Sequence, residues 1–181
     1  MEGFGKHVVV LALAAVVAGG AQAQSGKQGP RASVSVATVC SLNKAVPPTL
    51  DVELRVRDKS SGTAKAEVRQ WSISALAKTD SGKWSALDQF AQAAETLSPG
   101  TAVPPTGLSI KRSFPLCSLP DNTRGLNAMA TVVYGLQGGG GESRTVMNMC
   151  SDDPETFDVI EPSGVKLSAN DLNDIAMLCP R

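Results

Sequence analysis

Apolar residues at every second position recur along this chain, and that rhythm restricts its fold more than any other feature. Leu50, Val52, Leu54 and Val56 share one face of residues 50–57, and Trp71, Ile73, Ala75 and Ala77 share one face of residues 67–77. The same alternation places Leu108, Ile110, Phe114 and Leu116 together over 108–116, and Ala130, Val132, Tyr134 and Leu136 together over 128–136. Shorter runs at 33–40 and 144–150 repeat it. Successive side chains of an extended strand point to opposite faces, so each run predicts a strand with one buried and one wet face.

Turn chemistry separates these runs: Val46-Pro47-Pro48, Ser60-Ser61-Gly62, Asp80-Ser81-Gly82, Leu97-Ser98-Pro99-Gly100, Val103-Pro104-Pro105, Pro120-Asp121-Asn122 and the four glycines 138–141. Short strands without regular strand–helix alternation predict an antiparallel sheet pair, not a parallel sheet. The layout over residues 33–151 resembles bacterial immunoglobulin-like modules. The resemblance is carried by the 50–57 strand followed by a Ser-Gly turn, and by Leu97-Ser98-Pro99-Gly100 ahead of a strand. The expected fold class is therefore all-β: an immunoglobulin-like antiparallel two-sheet sandwich of about seven strands, with a short disulfide-tethered C-terminal helix.

Two segments have helical spacing. Leu87, Phe90, Ala91 and Ala94 fall at i, i+3, i+4 and i+7, with Ser85 and Asp88 placed as a capping box. In the second, Leu172, Ile175, Ala176 and Cys179 line one face, Ser168 stands at the cap, and Asp171 and Asp174 lie near the positive end of the helix dipole.

The N-terminus has a different character. An apolar run from Val8 to Ala18 precedes Ala21-Gln22-Ala23, whose small residues suit signal peptidase, so residues 1–23 are expected to be a secretory signal peptide. The run is too short to span a bilayer, and no later segment is longer. Residues 24–31 form a polar leader expected to be mobile, and 32–181 one sandwich domain with a helical lid. The alanine-rich leader and the absence of any Asn-X-Ser/Thr sequon point to a bacterial periplasmic or secreted protein. Cleavage would remove His7, the single histidine, and one charge of each sign, leaving lysine plus arginine balanced against aspartate plus glutamate. That balance favours neither nucleic acid nor an anionic membrane.

All four cysteines, Cys40, Cys117, Cys150 and Cys179, lie in the part expected to be exported, where disulfides persist. Without a Cys-X-X-Cys pair or a mature-chain histidine, neither a zinc site nor a thiol oxidoreductase is expected. Loop-closure entropy favours the shorter bridge, Cys150 to Cys179, leaving Cys40 to Cys117, with all four gathered at one end of the sandwich.

Candidate chemistry is sparse. Ser41-Leu42-Asn43-Lys44 and Ser163-Gly164-Val165-Lys166 both match Ser-X-X-Lys, but neither companion motif of penicillin-recognising enzymes follows. A serine or cysteine nucleophile has no histidine base. Asp152, Asp153, Glu155, Asp158 and Glu161 offer oxygen ligands for calcium or a carboxylate pair for glycoside hydrolysis, against the plainer expectation of a solvated loop. No enzymatic activity, cofactor or metal is expected. The expected function is an exported, non-catalytic binding module for a protein or cell-envelope component. The alternative is a structural subunit assembling by β-strand addition, with residues 33–39 as the donated strand. Loops held by a rigid sandwich are where recognition surfaces collect. The candidate binding residues are Lys59 and Lys65 in one connection, and Gly138, Gly139, Gly140, Gly141, Glu142 and Arg144 in another, both expected at the end opposite the cysteines.

Overall fold

The computed structural model describes residues 31–86, 92–139, 142–151 and 164–179. The expected signal peptide, all of the leader before Arg31 and the acidic residues between Asp152 and Glu161 lie outside them. Among the described residues, nine strands and one helix follow in chain order: β1 (Val34–Asn43), β2 (Thr49–Asp58), β3 (Ala66–Thr79), β4 (Trp84–Ser85), β5 (Gln92–Ala102), β6 (Leu108–Pro115), β7 (Thr123–Leu136), β8 (Arg144–Met149), β9 (Val165–Lys166) and α1 (Ala169–Leu178). Seven strands have six or more residues, while β4 and β9 contribute two each.

The strands form two sheets. One has the order β1-β2-β6; the other has the order β4-β3-β7-β8, with β5 also on the β3 edge and β9 on β7. All pairings between these strands are antiparallel. In immunoglobulin terms β1, β2 and β6 occupy positions A, B and E, while β8, β7 and β3 occupy G, F and C. Trp71 of β3 is buried between the two sheets.

The core is built from the alternating faces. Leu50, Val52, Leu54 and Val56 of β2 meet Trp71, Ile73, Ala75 and Ala77 of β3 and Ala128, Ala130, Val132 and Tyr134 of β7, all buried in one cluster. At roughly 25 cal/mol per Å² of apolar surface, this shared burial is the main stabilising term. At an open side of the sandwich the Arg112 guanidinium stacks 4.6 Å from the centroid of Trp71 and reaches Glu95 at 3.8 Å. A charge at this position on β6 also protects an edge strand from pairing with another chain.

The C-terminal helix forms as its capping signals predict. Ser168 accepts from the Asp171 backbone amide at 3.2 Å, and the Asp171 carboxylate accepts from the Ser168 amide at 2.9 Å. Ile175 is buried and Leu172 partly buried against the sandwich. The helix expected from Leu87, Phe90, Ala91 and Ala94 is not borne out at its ends. Leu87, Asp88, Phe90 and Ala91 lie outside the described residues, but Ser85 is in β4 and Ala94 pairs with Ser72 in β5. The exposed edge of β3 supplies hydrogen-bonding partners there, and a helix this short has little stability of its own. Leu97-Ser98-Pro99-Gly100 is likewise not a connection between strands. It falls inside β5, where pairing jumps from Thr96↔Gln70 to Thr101↔Val68.

The cysteines cluster toward the end carrying the β1–β2 connection, as expected, but their pairing is exchanged. The bridges are Cys40–Cys150 and Cys117–Cys179, with Cα separations of 5.6 and 5.4 Å. Folded proximity decides the matter. β1 meets the end of β8 through a parallel bridge between Thr38 and Cys150, and the Ser151 amide donates to the Thr38 carbonyl at 3.3 Å. Buried Asn127 fixes the same spot, its Oδ1 accepting from the Cys150 amide at 2.9 Å. Cys117 instead follows β6, beneath the helix that brings Cys179.

The two bridges differ in access. Cys150 is 1% exposed and Cys40 half-buried, whereas Cys117 is exposed and Cys179 half-buried. Thiol–disulfide exchange requires attack on an accessible sulfur. Under limiting reductant without denaturant, Cys117–Cys179 should therefore open first, and trapping with an alkylating agent followed by peptide mapping should label those two cysteines before Cys40 and Cys150. The reverse order would contradict this assignment of access.

Candidate functional site

The β2–β3 and β7–β8 connections lie together at the end opposite the cysteines. The Gln137 amide donates to the Lys65 carbonyl at 2.8 Å, and the Lys59 amide to the Ser33 carbonyl at 2.8 Å. Asp58 organises the first connection, its carboxylate accepting from the amides of Ser60 at 2.8 Å and Ala66 at 2.9 Å. Burial raises the pKa of that carboxyl, but the hydrogen bonds from Ser60 and Ala66 and the nearby Lys65 charge outweigh it, so the group stays below its usual range.

The second connection is held by Arg69. Register slips by one residue between Val68↔Tyr134 and Gln70↔Val133, making Arg69 the extra residue of a bulge in β3. Such a bulge re-aims a side chain. Arg69 donates from Nε to Glu67 at 3.0 Å, from Nη1 to Ser143 Oγ at 2.7 Å and from Nη2 to the Gly139 carbonyl at 2.8 Å. Glu67 in turn accepts from the Gly138 amide at 3.3 Å. Gly138 has φ +69° and opens the turn. Gly135 is bare for a different reason: a Cβ there would come within 2.6 Å of the Arg69 guanidinium.

Around this frame lies a depression of about 220 Å³ lined by Arg31, Ala32, Gly135, Leu136, Gly139, Glu142 and Arg144. It brings together Gly139, Glu142 and Arg144 of the expected residues. Gly138 stands beside them in the turn, Lys65 adjoins Gln137 through the backbone, and Lys59 is tied to the segment that begins at Arg31. Gly140 and Gly141 lie outside the described residues. Among the described residues, none of Arg31, Lys59, Lys65 or Arg144 forms an ion pair. Sequence reasoning missed Arg31, which reads as the end of a leader, and Arg69, which reads as one more strand residue.

The cysteine end holds a larger cleft, about 480 Å³, between α1 and residues 116–124. Leu116, Leu119, Leu172, Ile175 and Ala176 supply its apolar wall, and Asp121, Arg124 and Asn173 are its polar members. Lys44 fastens the helix above it, 2.8 Å from Asp171 and 2.8 Å from Asp174. Hydrogen bonds to Asp171 and Asp174 raise the Lys44 pKa, and the Lys44 ammonium holds the Asp171 carboxyl well below the carboxylate range. Lys44 is thus taken up by the two helix carboxylates, while Ser41 of the same Ser-X-X-Lys match sits on β1. Of the second Ser-X-X-Lys match, Ser163 lies outside the described residues and Lys166 is on β9. Among the described residues, no three His, Cys, Asp or Glu side chains gather as metal ligands.

No protein-family model and no curated protein sequence matches this chain. Among solved structures, the chain is similar to the crystal structure of an ApaA protein from Bordetella pertussis, at 11% identity and a TM-score of 0.36, covering 67% of this chain and 94% of that one. Likeness at that level does not bear on what either protein binds.

Two substitutions test the Arg69 frame. Arg69→Met removes the donors, and Gly135→Ala pushes the guanidinium off its seat while leaving it intact. Both should speed hydrogen exchange at the Gly138 amide and cost about 1–2 kcal/mol of global stability, as expected for a few partly exposed hydrogen bonds. If exchange is unchanged in both, Arg69 does not hold the loop.

Proposed function

We propose that the protein is an exported, non-catalytic binding module that uses its Arg69-held end to capture a partner of complementary negative charge, a protein or cell-envelope component. One observation carries this reading: Arg31 and Arg144 line a formed depression with Glu142 as the opposing charge, on a backbone fixed by Arg69, Glu67 and Asp58, and Lys59 and Lys65 stand in the adjoining connection at the same end. A rigid support under cations that form no ion pair among the described residues lowers the ordering cost of binding and steers an anionic partner. The two disulfides suit an oxidising compartment such as the bacterial periplasm or exterior. Among the described residues no helix is long and apolar enough to cross a membrane. The strand-addition alternative has less support, because residues 34–39 already pair along β2 within their own sheet.

Export is tested on the processed chain: its intact mass should place the N-terminus at Gln24, and an uncleaved product retained in the membrane would overturn the secretory reading. Binding is tested by crosslinking and pull-down of the exported protein from its own cells. Serine at Arg31, Lys59, Lys65 and Arg144 together should leave the fold intact and reduce capture by at least roughly tenfold at low salt, less at high salt. If capture survives those changes and is lost on altering Asp121 and Arg124, the binding surface is the cleft under the helix.

A further inference from the structure

The two outer faces of the sandwich differ in charge. On the three-stranded sheet the outward positions of β2 and β6 carry Asp51, Glu53, Arg55 and Lys111, with Arg55 2.9 Å from Glu53. On the other sheet, register places twelve outward residues in three rows across β5, β3, β7 and β8: Gln92, Ser74, Met129 and Met149; Ala94, Ser72, Thr131 and Met147; Thr96, Gln70, Val133 and Thr145. None is charged, in a chain that is 19% charged overall. Six are exposed, six half-buried and none buried, and Met147 is 68% exposed. Among the described residues charge returns at the borders, with the Glu67–Arg69 pair at the loop end and Lys78, over the Trp84 ring, at the other.

We infer that this face is a symmetric docking surface for a second copy of the chain, an inference independent of the loop-end reading. Every polar group on it is a hydroxyl or a carboxamide, and each of these both donates and accepts hydrogen bonds. Such groups can pair with their own images across a twofold axis, which ammonium or carboxylate groups cannot do. An uncharged face meets its copy without like-charge repulsion, and it gives a charged partner nothing to grip. The methionines at 129, 147 and 149 adapt their shape to fill gaps between two corrugated sheets. With strands about 4.8 Å apart and same-face residues about 6.8 Å apart, the twelve positions cover about 400 Å² in plan. That lies toward the small end of specific interfaces, the range of weak, concentration-dependent association.

Sedimentation of the exported protein over a wide concentration series tests this directly. The expected result is a monomer–dimer equilibrium whose dissociation constant rises at least roughly tenfold in Met147→Lys, where each copy brings a cation to the shared face. Met147 is already exposed, so the lysine does not threaten the core. Ser109→Lys, on the outer face of the other sheet, should leave the equilibrium unchanged. A protein that stays monomeric up to about 1 mM, or a dimer insensitive to Met147→Lys, or one weakened equally by both substitutions, would overturn the inference.

Discussion

A single extra residue in β3 governs how the larger sheet meets both the core and the solvent. A strand of strict alternation that turned Trp71, Ile73, Ala75 and Ala77 inward would also turn Arg69 and Glu67 inward, burying two charges against Val132 and Tyr134. Insertion of Arg69 between Val68↔Tyr134 and Gln70↔Val133 reverses the phase. Ala66 and Val68 are then inside on one side of the bulge and Trp71 onward inside on the other, while Glu67 and Arg69 pair outside. Burying those charges would have cost several kcal/mol each even after relaxation, so the slip in register is much the smaller disturbance. β5 follows the same break, setting residues 97–100 opposite Arg69.

The molecule is consequently fixed differently at its two ends. At one, covalent links and a helix close the structure: Cys40–Cys150 joins the first strand to the end of β8, and Cys117–Cys179 holds α1, with Lys44 as an ionic clasp. Gly164 belongs to the same arrangement. It has φ +57° and lies close against the Leu126 carbonyl, which allows β9 to rejoin β7 on the side where β8 ended. At the other end no covalent link exists among the described residues, and order comes from hydrogen bonds of Arg69, Glu67 and Asp58 to loop backbone. Hydrogen bonds of this kind shape a surface without closing it off.

Much of this was legible because burial on one face leaves a period of two in the residues. The six runs with clear alternation correspond to β1, β2, β3, β6, β7 and β8, and the one-sided spacing of Leu172, Ile175, Ala176 and Cys179 behind Ser168 marks α1. β5 was illegible for the opposite reason. It pairs only with β3, and Gln92, Ala94, Glu95 and Thr96 are all exposed, so nothing requires alternation, and its alanines suit a helix equally well. The disulfide pairing was hidden because loop length describes the unfolded chain, whereas the contact of Thr38 with Cys150 exists only after the two sheets pack. The placement of Lys59, Lys65 and Gly138 at one end followed from strand direction alone. Arg31 and Arg69 did not, because one acquires its neighbours only through folding and the other owes its outward aim to the bulge.

The charged end and the uncharged face are perpendicular parts of one surface, and their separation has a consequence for binding. Sheets that stack face to face keep their strands within about 30° of alignment. A twofold axis running along the strands would set both cationic ends on the same side of a dimer; an axis across the strands would set them on opposite sides. In the first arrangement a repeating anionic partner meets two copies of a weak site at once, and the second contact forms at the high effective concentration set by the first. A small depression and a small interface, each modest alone, then reinforce one another. In the second arrangement the same two surfaces link separate partners instead.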